Sequence, residues 1–163
     1  MTTYRFLTRW RLDAARAAVW KALTEPDDWP LWWRGVEKVE LLSAGDASGV
    51  GAVRRFTWKS RLPYRLSFDM RSTVVEEPAV LEGEAFGELS GTGRWELVDD
   101  AAGTGVTYHW HVRTTKAWMN ALAPLLRPAF AWNHDVVMRW GGEGLARKLG
   151  CAYRDLSKEE ETT

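Results

Sequence analysis

The sequence predicts an α+β fold in which a curved antiparallel sheet of six to seven strands wraps on one long C-terminal helix, with two short helices after the first strand. Three observations predict it. A strand pattern opens the chain, about six strand patterns follow the two short helical segments, and a single long helical pattern comes last. Strands with one apolar face must bury that face, and the C-terminal helix is the large partner available.

The first elements follow from an alternating stretch and from helix boundary signals. Residues 4–12, YRFLTRWRL, place mainly aromatic and apolar side chains on one face and mainly arginines on the other, which predicts a half-buried strand. Asp13 then suits a helix N-cap, and the helical segment ends at Pro26. A further turn or two of helix is expected over DDWPLWW, residues 27–33.

The remaining elements run from VEKVELL at residue 36 to the end of the C-terminal helix. Two of the strand patterns show their apolar faces clearly: Tyr64, Leu66, Phe68 and Met70 in one, and Val106, Tyr108, Trp110 and Val112 in the other. Helical periodicity covers residues 116–149, with a break or bend expected near Gly141–Gly142. We expect residues 1–150 to form a single domain and residues 151–163 to form a charged, frayed tail.

Composition restricts the class of partner. A formal net charge of zero gives no general attraction to nucleic acid or to an anionic membrane. Basic residues concentrate within 54–71 and acidic residues within 76–100, which predicts outer strand faces paired across neighbours. The single cysteine, Cys151, excludes an internal disulfide, and no apolar run approaches the length of a membrane span. We therefore expect a cytoplasmic protein without integral membrane association and without a nucleic-acid partner.

The content of 11 tryptophans indicates a need for large flat surfaces, in the core or around a cavity. The stretch from Leu81 to Leu97 adds a second signal, because the predicted inward positions carry four glycines and an alanine and so fill little volume. Three interpretations remain open for this face: close packing of a helix, curvature of the sheet, or space left for a ligand.

Asn133, His134 and Asp135 stand side by side in AWNHDVVMRW, but a helical projection separates them. Trp132 and Asn133 fall within the apolar arc, His134 lies past its edge, and Asp135 falls on the opposite flank. We therefore expect no catalytic triad here, a boundary or surface position for His134, and a buried Asn133 in need of hydrogen-bond partners.

The other histidines do not form a recognisable site. His109 and His111 alternate with the apolar residues of their strand and are expected to face outward. No third metal ligand is evident near them, and the sequence lacks phosphate-loop, nucleophile-elbow and zinc-protease motifs. The sequence thus predicts neither a metal site nor a cofactor.

The order of elements and several motifs resemble the START-like or SRPBCC helix-grip superfamily, and within it the polyketide cyclase/dehydrase-type branch. The resemblance covers about residues 3–150. It is carried by LDAARAAVWKALTEPDDWPLWW, with Asp13, Ala14, Val19 and Trp20, and by GTGRWEL and GTGVTYHWHV. It implies a seven-stranded sheet around the C-terminal helix with an apolar cavity between them. Members bind lipids, sterols, polyketides or plant hormones, activate chaperones, or cyclise aromatic polyketides.

These observations favour binding of a small hydrophobic molecule, lipid- or polyketide-like, between the sheet and the C-terminal helix. Two alternatives remain: an enzyme of the polyketide cyclase or dehydratase kind, and a protein-interaction module with a filled core. Trp32 and Trp33 either cover the pocket or plug the core, and Arg54 either points inward beside an anionic partner or reaches solvent. The predicted ligand-binding residues are Trp10, Trp32, Trp33, Arg54, Tyr64, Phe68, Tyr108, Trp110, Trp132 and Asn133.

Overall fold

The computed structural model describes residues 2–158, and the last part of the predicted tail, residues 159–163, lies outside the described residues. Its elements follow the predicted order. They are β1 (Thr3–Leu12), α1 (Arg16–Thr24), a 3-10 turn (Pro26–Asp28), α2 (Trp29–Trp32), β2 (Val36–Ser43), β3 (Val53–Lys59), β4 (Arg65–Glu76), β5 (Val80–Gly87), β6 (Leu89–Asp100), β7 (Gly103–Thr114), α3 (Ala117–Ala121), α4 (Ala123–Leu149) and β8 (Tyr153–Asp155).

The strands form one antiparallel sheet of 8 strands in the order β2-β3-β4-β5-β6-β7-β1-β8. The meander β2 to β7 confirms the predicted run of six consecutive strands, and β1 joins it by pairing with β7 along its whole length, from Thr3↔Arg113 to Leu12↔Thr104. Part of the predicted frayed tail is ordered, because Tyr153–Asp155 pairs with β1 as an eighth, three-residue strand. The sheet and α4 give the predicted α+β helix-grip architecture.

The first helix begins later than the predicted cap. α1 starts at Arg16 after Ala15, and no side chain in the described part of the chain caps its N-terminus. Asp13 belongs instead to the end of the sheet, where its backbone N–H donates to the carbonyl of Ala152 and its carboxylate lies 3.4 Å from the Arg11 guanidinium. The N-cap prediction for Asp13 is therefore wrong, because β1 and β8 fix the backbone at that point.

The long C-terminal pattern is interrupted at Leu122 and not at Gly141–Gly142. Leu122 separates α3 from α4 and has φ −95° and ψ 6°. Pro124 explains the position of this break, because its ring lacks an N–H and would clash with the preceding turn if α3 continued into α4. The two glycines lie inside an uninterrupted α4, where they serve packing against aromatic rings.

A tryptophan cluster centred on Trp33 closes one end of the core. The ring centroid of Trp33 lies 5.0 Å from that of Trp29, 5.3 Å from that of Trp58 and 6.1 Å from that of Trp95. The indole N–H of Trp33 donates a 2.9 Å hydrogen bond to the backbone carbonyl of Val137. This hydrogen bond links the residue that follows α2 to the middle of α4.

Glycines let α4 approach the tryptophans closely. A Cβ added at Gly141 would lie 2.5 Å from the ring of Trp33, and one added at Gly144 would overlap the backbone carbonyl oxygen of Trp32. Any larger residue at these positions would push α4 away from the cluster. The glycines therefore set both the distance and the rotation of the helix over the sheet.

This rotation agrees with part of the predicted apolar arc of α4 and corrects the rest. Of two apolar stripes along the helix, the one containing Leu125 and Trp132 is turned to the surface at these two residues, with exposed fractions of 78% and 52%, but it is buried further along at Val136 and Trp140. The stripe in line with Gly141 and Gly144 faces the sheet. Its members that line the interior are Phe130, Asn133, His134, Val137 and Met138.

Charged residues cover the outer face of the sheet, as predicted. Arg55 pairs with Asp69 across β3 and β4 at 2.8 Å, and Arg94 lies 3.4 Å from Glu82 across β6 and β5. Such exposed pairs contribute little to stability but keep the outer face hydrated. Within residues 2–158, no helix has the length and apolarity needed to cross a membrane.

We predict that Gly144→Ala destabilises the fold. Alanine normally favours a helix over glycine by about 1 kcal/mol, but here its Cβ would overlap the Trp32 carbonyl oxygen. We expect the free energy of unfolding in urea to fall by about 1–3 kcal/mol. The adjacent Glu143 is exposed, so Glu143→Ala is the matched control and should stay within about 0.5 kcal/mol of the wild type. An unchanged or increased stability of Gly144→Ala would contradict close packing at this position.

Candidate functional site

A cavity of about 450 Å³ lies between the sheet and the N-terminal half of α4. This volume is within the range of small-molecule sites, roughly 300–1,000 Å³. Its wall is mainly aromatic and aliphatic. The large side chains of the wall include Tyr4, Phe6, Trp29, Trp33, Phe56, Trp58, Tyr64, Leu66, Phe68, Met70, Trp95, Tyr108, Trp110, Phe130, Val137 and Met138.

The structure brings most of the predicted ligand-binding residues to this wall. They are Trp33, Arg54, Tyr64, Phe68, Tyr108, Trp110 and Asn133. Strand alternation placed the members on β4 and β7 correctly, since successive inward residues of a strand share one face. Their role in binding stays a prediction.

Three of the predicted residues lie elsewhere. Trp10 is 1% exposed and packs in the core against Trp33 and Trp95, with centroid distances of 6.0 and 5.5 Å. Trp32 is buried beneath α4 at the contact with Gly144. Trp132 points to the surface, because the close approach of the helix turns the other apolar stripe inward. These placements in the cavity wall were wrong.

The glycine-rich face of β5 and β6 serves both packing and cavity. A Cβ at Gly93 would lie 2.7 Å from the hydroxyl oxygen of Tyr108 and 3.0 Å from the ring of Trp110. Glycine therefore lets these cross-strand neighbours lie flat over the sheet, where Tyr108 stacks on Trp95 with centroids 4.0 Å apart. Gly83 and Gly93 also line the cavity, so close packing and open space occur on the same face.

Arg54 lines the cavity in partnership with a carboxylate. Its Nε lies 3.2 Å from Asp27 Oδ1, and the side chains of Arg54 and Asp27 are 22% and 58% exposed. The ion pair therefore lies where the 3-10 turn meets β3, at a solvent-accessible margin of the cavity. Asp27 thus supplies the carboxylate that an inward-facing arginine requires.

Tyrosines add polar atoms to an otherwise apolar wall. Tyr64 lies between Trp118 and Phe130, with edge-to-face centroid distances of 5.5 and 6.5 Å, and burial raises its pKa to about 12. Burial also raises the pKa of Tyr108 far above its ordinary value. Both phenols therefore remain neutral hydrogen-bonding groups at physiological pH.

His134 is the functional candidate that the helical projection missed. It lines the cavity with a side chain only 13% exposed, and its ring stacks on Phe6 with centroids 4.1 Å apart and planes 14° apart. Both ring nitrogens are buried and have no hydrogen-bond partner within residues 2–158. Its Nδ1 lies 3.8 Å from Asp135 Oδ1, which is too far for a hydrogen bond. The expected boundary or surface position of His134 was wrong.

Further unpaired polar atoms occur in the same wall. Asn133 Oδ1, the Tyr4 hydroxyl and the Trp58 indole N–H are buried, and none has a hydrogen-bond partner in the described part of the chain. Leaving such groups unpaired costs roughly 1–3 kcal/mol each. The wall therefore contains hydrogen-bonding capacity that residues 2–158 do not use, as does the packed core, where Trp10, Trp32 and Tyr153 also have buried polar atoms without a partner among these residues.

The remaining histidines face away from this cavity, as predicted. His109 Nε2 lies 2.9 Å from Glu96 Oε1 on the outer face of the sheet, and His111 is exposed. Among the residues that the structure describes, no group of three histidine, cysteine, aspartate or glutamate side chains is placed to hold a metal ion.

An antiparallel sheet wrapped on a C-terminal helix, with an apolar cavity between them, defines a helix-grip protein. The chain belongs to the family described as polyketide cyclase / dehydrase and lipid transport, whose model matches residues 6–150. This match confirms the resemblance that the sequence motifs indicated. No curated protein matches the sequence significantly.

Solved structures share the fold over nearly the whole chain. The Zhui aromatase/cyclase from Streptomyces sp. R1128 matches with a TM-score of 0.74 and 16% identity, over 91% of this chain and 94% of that one. The protein TTHA0849 from Thermus thermophilus matches with a TM-score of 0.71 and 13% identity, over 90% and 97%. The major latex-like protein 151 from Panax ginseng matches with a TM-score of 0.58 and 12% identity, over 80% and 97%.

We predict that His134 makes stability depend on acidic pH. Burial lowers the pKa of His134 in the folded protein from its ordinary value of 6.5, with Asp135 partly opposing the shift. Below pH 6.5 the unfolded chain therefore binds a proton that the folded protein excludes, and stability falls as the pH decreases. The slope from this one group is at most about 1.4 kcal/mol per pH unit.

Urea unfolding at pH 7.5, 6.5 and 5.5 tests this dependence. His134→Phe keeps an aromatic ring against Phe6 and should lose the His134 contribution to the slope. His111→Phe, at an exposed position, is the control and should retain the wild-type slope. Equal slopes in the wild type and His134→Phe would show that His134 is not held neutral by burial.

Proposed function

We propose that the protein binds a small hydrophobic molecule, lipid- or polyketide-like, in the cavity between the sheet and α4. The observation that carries the proposal is a cavity of about 450 Å³ whose wall is mainly aromatic and aliphatic. An apolar ligand gains about 25 cal/mol for each Å² of apolar surface removed from water. The flat tryptophan and tyrosine rings favour a ligand that is itself flat.

The packing of the core supports a binding role over an interaction module with a filled interior. The tryptophan cluster around Trp33 fills only the end of the core beneath the C-terminal half of α4. The N-terminal half of α4 lines the cavity with Phe130, Asn133 and His134. An interaction module would have no physical reason to keep this volume open, because a void sacrifices packing free energy.

An enzymatic function of the cyclase or dehydratase kind is the second candidate. The His134 nitrogens and Asn133 Oδ1 favour it, because buried polar atoms in the cavity wall without partners within residues 2–158 are candidates to contact a reacting molecule. Arg54 is less suited to act on an enolate, since Asp27 already neutralises its charge. Loss of turnover in Asn133→Ala, with ligand affinity and fold retained, would distinguish an enzyme from a carrier.

We predict that flat apolar probes bind at a saturable site and change the tryptophan emission. Trp29, Trp33, Trp58, Trp95 and Trp110 line the cavity, so occupancy should alter their fluorescence. Titration with anthracene-type probes, together with native mass spectrometry of the purified protein, measures affinity and stoichiometry. Absence of saturable binding and of any co-purified small molecule would contradict the proposal.

We predict that filling the cavity with a larger side chain abolishes this binding. Leu66 lines the cavity on β4, so Leu66→Trp should reduce probe affinity by at least about tenfold by occupying the ligand's space. Leu7 is 46% exposed, on the other face of β1, and Leu7→Trp is the matched control. The control should bind as the wild type does. Equal affinities for both variants would place the probe outside the cavity.

A further inference from the structure

We propose that His134, Asn133 and Tyr4 form a polar subsite that accepts one neutral hydroxyl group of an otherwise apolar ligand and rejects a carboxylate. The proposal rests on the binding function proposed above, and it narrows the ligand class. It selects neutral hydroxylated molecules, such as phenols or alcohols, over fatty acids and other apolar anions.

The three side chains belong to one side of the cavity, where β1 lies against α4. Phe6 joins them: its ring stacks on His134 with centroids 4.1 Å apart and on Tyr4 with centroids 5.8 Å apart. Phe130 on α4 contacts Tyr4 edge-to-face at 5.7 Å. Asn133 directly precedes His134 on α4 and lines the same cavity. The three polar residues thus share one aromatic side of the cavity.

The hydrogen-bonding capacity of this group matches a hydroxyl. A neutral imidazole has one nitrogen that donates and one that accepts, and an amide oxygen accepts. The Tyr4 hydroxyl can do either. None of these atoms, namely both nitrogens of His134, Asn133 Oδ1 and the Tyr4 hydroxyl, has a partner among residues 2–158. A ligand hydroxyl, which both donates and accepts, would satisfy an acceptor and a donor at once.

The charges around the cavity disfavour an anion. The charged residues among the described lining residues, besides His134, are Asp46, Arg54 and Glu82, and the Glu82 carboxylate lies on the outer face of the sheet, 3.4 Å from Arg94. Arg54 is already paired with Asp27 at 3.2 Å, and burial keeps His134 neutral. Arg127 lies 5.3 Å from the centroid of the Tyr4 ring, but it is exposed and is not among the residues that line the cavity. A buried carboxylate would therefore find no free cation in the described wall itself, and burying an unpaired charge is strongly unfavourable.

The side chains of His134, Asn133 and Tyr4 must turn slightly to serve the ligand. The His134 nitrogens, Asn133 Oδ1 and the Tyr4 hydroxyl are closed to solvent in this structure, although all three residues line the cavity. Phe6 stacks on the face of the His134 ring, whereas the two ring nitrogens, which lie in the ring plane, have no hydrogen-bond partner among residues 2–158. A ligand hydroxyl gives the turned ring a hydrogen bond that the protein lacks, so binding and reorientation are coupled.

Three probes of similar size test the subsite: 2-naphthol, which is neutral at pH 7.5, 2-methylnaphthalene and 2-naphthoate. Isothermal titration of the wild type should give 2-naphthol an affinity about tenfold above that of 2-methylnaphthalene, the gain expected from about one good hydrogen bond. We expect 2-naphthoate to bind most weakly. Equal affinity for 2-naphthol and 2-methylnaphthalene, or 2-naphthoate binding as tightly as 2-naphthol, would overturn the subsite while leaving the binding function intact. Binding of none of the three would overturn both proposals.

Variants assign the preference to particular residues. His134→Phe should reduce the preference for 2-naphthol to about threefold or less and leave 2-methylnaphthalene affinity within about twofold, since one hydrogen-bonding group is lost and the aromatic surface is kept. His111→Phe, on an exposed side chain, should keep the full preference. A preference that survives in His134→Phe would exclude His134 from the subsite.

A measurement on the wild-type protein avoids any dependence on variant folding. The ¹⁵N resonances of the His134 ring report hydrogen bonding at each nitrogen. Addition of saturating 2-naphthol should shift at least one of them, whereas 2-methylnaphthalene should leave both near their starting positions. Identical ring spectra with both probes would overturn the proposed contact.

Discussion

The close contact of α4 with Trp32, the last residue of α2, and with the next residue, Trp33, determines the architecture. Gly141 and Gly144 allow the helix to rest on Trp33 and Trp32, and the Trp33 indole N–H is bonded to the Val137 carbonyl. Because a rigid helix cannot change its rotation over a few turns, this one contact also decides which side chains of the N-terminal half face the sheet. The positions of the packed core and of the cavity both result from this contact.

The cavity is a consequence of this one-sided anchoring. Where glycines face tryptophans the helix and the sheet touch. Beside Phe130, Asn133 and His134 a cavity opens over the sheet, although α4 still meets β1 there through the stack of His134 on Phe6. The polar atoms in the second region are left without protein partners within residues 2–158, whereas the Trp33 indole in the first region is bonded. Buried polar atoms without partners within residues 2–158 also occur in the packed core, on Trp10, Trp32 and Tyr153, so the cavity end differs from the packed end by its open volume.

Strand patterns predicted more of the site than helix patterns did. Phe68 and Tyr108 were placed correctly because alternate residues of a strand share a face whatever lies above them. Trp132 was predicted to face inward and His134 to lie at the boundary or surface, and both predictions were wrong. α4 carries two apolar stripes, and which of them faces inward depends on contacts with residues about 100 positions away. Trp10 lies on the inward face of its strand, as alternation predicts. Alternation does not tell whether an inward residue lines the cavity or is buried in the packed core.

The strand order has a consequence for behaviour at high concentration. The two sheet edges are β2 and β8. β8 has only three residues, and β2 carries Glu37, Lys38 and Glu40 and changes register twice against β3. Short, charged or irregular edges are poor templates for adding a strand from another molecule. Within residues 2–158, both edges of the open sheet therefore disfavour the addition of a strand from another molecule, even though β2 also exposes Leu41 and Leu42.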